Sequence, residues 1–334
     1  MLCSLGIVRA GRPSARLAAA AARRGTAAAA YFSTSRIRMS NRLRIGFVPE
    51  HFSTPLHFAQ TRFGLDADLI EYKSGTGHMV QSFKSNDIDV GIGLTEGWVA
   101  GLGKEQVSSS QSPLPYRIVG TYVSTPLCWA ISTGSKRSEI SSVDDLNGKK
   151  IGVSRIGSGS YVMGFVLADQ EGWLSDKDGE PFEEFVVLND FKQLREGVNA
   201  GKVDFFMWEH FTSKRYYDNG EIKRIGEIYT PWSSWKIVAS PSVTSSQLDR
   251  LFESVNKGIK HFNEHPDEAV QYISTSLDYS REDATAWLDT VKFPNDVTGV
   301  DESVIGKTVD ILSKAGVLDA SKVNARDMVA ISRK

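Results

Sequence analysis

Three short stretches set a carboxylate beside an imidazole or an aromatic ring: Glu50-His51-Phe52, Thr95-Glu96-Gly97-Trp98 and Trp208-Glu209-His210. A carboxylate next to an imidazole offers general acid and base chemistry, so Glu50, Glu96, Glu209, His51 and His210 are the groups that could move a proton on a bound molecule. The same groups among aromatic faces suit a second task. An aromatic sandwich with a few polar anchors holds a flat, partly apolar ligand such as a heteroaromatic ring, and carboxylates beside indoles also favour a cationic nitrogen. The stretches therefore read as ligand-binding positions, with no residue assigned to catalysis.

Three glycine-containing loops join them. Gly75-Thr76-Gly77, Thr95-Glu96-Gly97 and Gly157-Ser158-Gly159-Ser160, the last running into Tyr161, each sit where a strand ends and a helix begins. Backbone N–H groups at such a turn converge with the positive end of the helix dipole and favour an anion or a carbonyl. None has the Gly-Lys-Ser/Thr ending of a nucleotide loop or the third glycine of a dinucleotide fingerprint. His261-Phe262-Asn263-Glu264-His265 spells a pattern seen in some zinc peptidases, but it closes a C-terminal helix just before Pro266 and has no third ligand. Asp176-Lys177-Asp178-Gly179-Glu180 lacks the sixth-position glycine and twelfth-position glutamate of a calcium loop, and reads as an acidic turn. Neither metal nor cofactor is expected.

The elements that must position these residues alternate. Strands are expected at Leu43–Val48, about Asp68–Tyr72 and Ile88–Gly93, with helices opening at Thr54-Pro55 and after the Ser74–Gly77 loop. Strands near Tyr116–Tyr122 and Leu127–Ser132 flank Ser124-Thr125-Pro126, a first crossing between two lobes. Ser142–Gly148 reads as a capped helical turn leading into a strand at Ile151–Val153, followed by a helix over Tyr161–Glu171. Strands at Phe185–Leu188 and Asp204–Trp208 complete a second sheet, and Thr230-Pro231-Trp232 marks the return. From Ser245 on, Leu248, Leu251, Phe252, Val255, Ile259 and Phe262 recur at helical spacing, so the tail is expected to be nearly all helix, packed on the first lobe. Alternating strands and helices indicate an α/β protein with mainly parallel sheets.

Phe47-Val48-Pro49-Glu50-His51, Gly75-Thr76-Gly77, Ile88–Gly91 with Leu94–Gly97, and Asp145–Val153 resemble, in order and spacing, the nitrate, sulfonate and taurine substrate-binding proteins. The likeness runs from about Leu43 to Lys314 and extends to thiamine-pyrimidine-precursor binding proteins, with an intracellular fungal branch as the nearest resemblance. It implies a two-lobed type II periplasmic-binding-protein fold. Lobe I would comprise 43–124 and 231–334, and lobe II 125–230, with a ligand cleft between them. It also implies a binding protein that closes on one small molecule without turnover, a pyrimidine-like ring being the first expectation. Enzymes exist on related folds, so general acid and base action on a cofactor precursor is the alternative. The fungal thiamine-pyrimidine synthases use a lysine-bound pyridoxal phosphate, a histidine and a cysteine-rich iron motif; here no lysine near His51 precedes Lys73, and one cysteine remains after the leader.

The chain has 334 residues, 41% apolar and 24% charged, enough for about two domains with full cores. No run of 18 apolar residues suggests a membrane span. Residues 1–38 hold seven arginines and no acid, a composition of mitochondrial transit peptides, with initiation at Met39 and a cytoplasmic product as the alternative. Without those seven, 32 of the 39 basic residues face 40 acidic ones, a net charge near −8 that argues against a nucleic-acid partner. Cys3 and Cys128 allow no disulfide framework in the mature chain, and Cys128 reads as a core residue. A monomer or weak dimer is expected.

Overall fold

The computed structural model describes residues 42–108, 113–174 and 181–333; the expected transit peptide (1–38) and the expected acidic turn at Asp176–Glu180 lie outside them. The chain first runs through β1 (Leu43–Phe47), α1 (Thr54–Arg62), β2 (Ala67–Glu71), α2 (Thr76–Lys84), β3 (Val90–Leu94), α3 (Thr95–Ser108) and β4 (Arg117–Val123). It then crosses to β5 (Cys128–Gly134), β6 (Lys150–Val153), α4 (Gly159–Gln170), β7 (Glu184–Val187), α5 (Phe191–Asn199), β8 (Phe205–Glu209), α6 (His210–Asp218) and β9 (Ile222–Tyr229). It returns through β10 (Trp235–Ala239) to α7 (Ser245–Glu264), α8 (Pro266–Ser276), α9 (Arg281–Leu288) and α10 (Glu302–Lys314).

Two five-stranded sheets result, ordered β2-β1-β3-β10-β4 and β7-β6-β8-β5-β9. Each begins as three parallel strands, and the strand entering from the other lobe, β10 or β5, adds antiparallel to the third. The two sheets are thus one topology used twice, with no sequence repeat to announce it. Helices on both faces bury the central strands, which is why β3 reads Val-Gly-Ile-Gly-Leu without polar alternation. The protein is the expected two-lobed α/β type.

The two crossings run side by side. Leu127 and Thr230 exchange backbone bonds at 2.9–3.0 Å, one through the Thr230 hydroxyl, and Ser234 donates to the Thr125 carbonyl through both its backbone N–H and its hydroxyl. Helix α7 carries the expected stripe, with Leu251, Phe252, Val255, Ile259 and Phe262 buried and a Thr244/Gln247 capping box at its start.

Three expectations need correction. Strands β9 and β10, which were not expected, flank the expected return crossing at Thr230–Trp232, and β10 stands inside the first sheet. The tail is not helical to its end: Gly299 bridges to Gly120, Val329 to Ile118, and Ser332 to Val300, so irregular chain covers the free edge of β4. Cys128 is half-buried rather than core, because it starts β5 beside the crossing. Among the described residues no helix is long and apolar enough to cross a membrane.

Candidate functional site

A cavity of about 540 Å³ opens where the carboxyl ends of the parallel strands of both sheets meet, the position at which open α/β sheets bind ligands. Lobe I contributes Val48 and Glu50 after β1, Lys73–Thr76 before α2, Leu94 at the end of β3 and Trp235 at the start of β10. Lobe II contributes Leu127 and Trp129, the turn around Ser154–Ser160, Asn189–Lys192, Trp208 and Glu209 at the end of β8, and Arg195 and Tyr216 from α5 and α6.

Of the residues singled out from the sequence, Glu50, Gly75, Thr76, Ser158, Gly159, Ser160, Trp208 and Glu209 line this cavity. Glu50 keeps part of its surface open to the cavity but is hemmed in by protein. Burial, and then the charge of Glu209, pushes its carboxyl up to about 8. Burial would raise Glu209 as well. The His51 imidazole and the N–H groups of Thr212 and Phe211 outweigh it and leave that carboxyl lowered. One Glu209 oxygen caps α6 by accepting from Thr212 N at 2.6 Å, while the other lies 3.6 Å from His51 Nε2, an ion-pair distance too long for a hydrogen bond. The site thus holds a carboxylic acid that keeps its proton at neutral pH beside a carboxylate that does not.

The other expected residues stand behind the wall. His51 is fully buried among Phe52, Phe211, Tyr279 and Trp287. Phe52 packs on Trp235 and Trp287 in the core. Trp98 is wholly buried against Phe83 and Tyr116, because β3 and α3 press it into lobe I. Thr95 ties α3 to the return crossing by donating to the Ser233 carbonyl at 2.6 Å. Glu96 is buried where Trp232 Nε1 donates to it at 3.1 Å, and burial raises it to about 7. Gly77 is covered by the Arg155 guanidinium, and a side chain there would collide with it. Tyr161 packs on Phe165 and Phe185, and His210 faces a smaller pocket at the hinge.

Gly75 and Gly159 serve different ends. Gly75 opens α2 at φ +76°, which L side chains rarely adopt, so no side chain caps that helix. A Cβ at Gly159 would come within 2.8 Å of Glu96 Oε1 and of the Trp129 ring, so α4 approaches the hinge closely only as glycine. The serines of that turn are largely engaged with one another: Ser158 and Ser160 hydroxyls lie 3.0 Å apart, Ser160 accepts from Ser154 N, and Ser158 caps α4.

Sequence reasoning placed Trp235 near a crossing among the candidate aromatics, and it lines the cavity; Trp129, Phe191, Tyr216, Arg195 and Arg155 were missed. The loops singled out follow the carboxyl ends of strands, where parallel strands point at a cleft. Antiparallel strands present their amino ends there instead: Trp129 at the start of β5 pairs with Glu209, and Trp235 at the start of β10 pairs with Leu94. The two tryptophans occupy the same place in the two sheets, and both indole N–H groups are buried without a hydrogen-bond partner. Phe191 and Trp208 stack with centroids 5.3 Å apart, and Arg195 lies 3.6 Å over the Tyr216 ring while paired with Glu221 at 2.8 Å. Arg155 reaches from lobe II to the Ser74 carbonyl of lobe I at 3.3 Å, and burial alone lowers its guanidinium.

The model of the Ca3427-like periplasmic-binding-protein family matches residues 129–228. The structure of the Candida albicans CA3427 gene product, described as having the generic periplasmic binding protein fold, is 42% identical over 88% of this chain and 97% of its own, with a TM-score of 0.77. The alkanesulfonate-binding protein SsuA of Xanthomonas axonopodis pv. citri, bound to MOPS, covers 87% of this chain and 98% of its own at 16% identity and TM-score 0.69. The nitrate-binding protein NrtA of Synechocystis PCC 6803 covers 87% of each chain at 12% identity and TM-score 0.64. No curated protein sequence matches. The two SsuA and NrtA likenesses establish the fold, and the Candida likeness goes further: the chain belongs to the Ca3427-like family of periplasmic-binding-fold proteins.

Proposed function

We propose that the protein binds one small, flat heteroaromatic molecule between its lobes and releases it unchanged. The observation that carries this reading is the pair of topologically equivalent tryptophans, Trp129 and Trp235, which bring one indole from each lobe to a cavity of about 540 Å³. That volume suits a ligand of metabolite size, and Trp208 with Phe191 adds further ring surface. Glu50, protonated at neutral pH, offers a donor and an acceptor side by side, as the adjacent ring nitrogen and amino group of an aminopyrimidine require. SsuA, an alkanesulfonate-binding protein, and NrtA, a nitrate-binding protein, share this fold, which supports a binding role.

Purification under native conditions, denaturation and mass spectrometry of the released fraction tests it. Recovery of one aromatic heterocycle at near-stoichiometric amount is expected. Recovery of nothing, together with no thermal shift across a panel of heterocyclic metabolites, would overturn the reading. A second reading is favoured by Glu50 itself, since an acid poised near 8 can exchange a proton with a bound molecule. In that case the recovered compound would be converted on incubation with fresh protein, which the binding role forbids.

A further inference from the structure

A second pocket, about 140 Å³, lies at the hinge, walled by the first crossing (Thr125–Leu127), by Trp287 and Val291 of lobe I, and by the β5, β9 and α6 ends of lobe II. Three metal-ligating side chains of different chemistry meet there. Cys128, His210 and Glu227 each offer an atom within 4.8 Å of the other two. The sheet puts them together: Cys128 and Ala130 alternate onto one face of β5, where Tyr229 and Glu227 of β9 stand opposite. His210 opens α6 directly after Glu209, which pairs with Trp129 of β5.

The local geometry favours an ion. Bonds of about 2.0–2.3 Å in a tetrahedral zinc site separate neighbouring ligand atoms by about 3.3–3.8 Å; Cys128 Sγ and Glu227 Oε2 are 3.5 Å apart. His210 Nδ1 is buried without a hydrogen-bond partner, a state that a buried polar nitrogen rarely keeps. Glu209 lines the same pocket and adds negative charge. Against this, Arg224 pairs with the Glu227 oxygen that faces the cysteine. That pair is solvent-exposed, so little opposes its exchange.

We propose that Cys128, His210 and Glu227 form a zinc(II) site at the hinge. The sulfur, nitrogen and carboxylate set matches this borderline-soft ion better than magnesium or calcium, which take oxygen ligands. Binding replaces the S–H bond by an S–Zn bond and releases the thiol proton to solvent. The ion ties β9 and the start of α6 to the residue that follows the first crossing, and so stiffens the hinge from the lobe II side. The site shares Glu209 with the main cavity, but its argument does not rest on what that cavity holds.

The test uses the full chain and metal alone. Cobalt(II) titration of chelator-treated protein is expected to give a thiolate-to-cobalt charge-transfer band that saturates at one ion per chain and is erased by zinc(II). Cys128→Ser should lose the band, and Cys3→Ser, which removes the leader's thiol, should keep it. Glu227 stands at the exposed rim, so Glu227→Gln should fold and, having lost a direct ligand, bind at least about tenfold more weakly; loss of an outer partner already costs that much. Absence of the band from the native chain, its survival in Cys128→Ser, or unchanged affinity in Glu227→Gln would overturn the site.

Discussion

The two lobes share one strand order but arm the cleft differently. In lobe II every helix that faces the cleft carries a side-chain cap: Ser158 on α4, Asp190 on α5 and Glu209 on α6. In lobe I no side chain caps α1 or α2. Aromatic surface is divided the other way, since Trp129, Phe191, Trp208 and Tyr216 come from lobe II and only Trp235 from lobe I. Lobe II is thus an aromatic wall backed by capped helices, while lobe I presents helix ends and the protonated Glu50. A ligand whose ring lies on lobe II and whose polar edge meets lobe I uses both without breaking a cap.

The largest test of that contrast sets one tryptophan against another. Trp98→Ala removes a wholly buried ring from the lobe I core and should cost about 3–5 kcal/mol of stability. Trp208→Ala, on the lobe II wall, should leave a folded protein whose affinity for the molecule recovered from native material falls about 10- to 100-fold, the effect of about 1.5–3 kcal/mol of lost ring burial. Urea unfolding and calorimetric titration read the two quantities separately. Equal loss of affinity in both variants at equal stability would erase the distinction between wall and core.

That distinction was only half legible in the sequence. The two-lobed fold could be read because Asp145–Val153 and the strand, glycine loop and helix successions are local signals, each completed within about ten residues. Strands β9 and β10 escaped because Ile222–Tyr229 sets Lys223, Arg224, Gly226 and Glu227 among its apolar residues without strict alternation, and Trp235–Ala239 is five residues long and reaches its partners β3 and β4 only through the fold. Glu96 and Trp98 show the opposite failure: a polar and an aromatic residue just past a strand look like a rim, yet α3 starts so abruptly at Thr95 that both turn inward. Burial on that scale depends on which helix faces what, and no spacing rule encodes it.

The carboxylates sharpen the contrast by pH. Glu50, ordinarily near 4.5, is pushed up to about 8, so the folded chain keeps a proton that the unfolded chain has released. Its contribution to stability is fully present below about pH 4.5 and declines as pH rises toward 8. Glu209 is lowered, and what it contributes is present above its ordinary value and lost as pH falls through the folded one. Glu50→Gln should therefore flatten the loss of stability between pH 5 and pH 8, and Glu209→Gln should weaken the protein more at pH 8 than at low pH. Urea midpoints at the two pH values measure both; a tilt in the same direction for the two variants would show that the lobes do not hold their carboxyls in opposite states.

The smallest effect probes the caps themselves. Asp190 accepts from Gln193 N at 2.8 Å and opens α5 at the cavity edge. Asp190→Ala leaves that N–H without a partner and makes α5 resemble the uncapped helices of lobe I, at an expected cost of about 1 kcal/mol and a fall of about 2 °C in melting temperature for a chain of this size. Asparagine is an equally good cap, so Asp190→Asn should restore the melting temperature while removing the charge. If asparagine fails to rescue, the aspartate acts through its charge at the positive end of the α5 dipole rather than as a hydrogen-bonding cap.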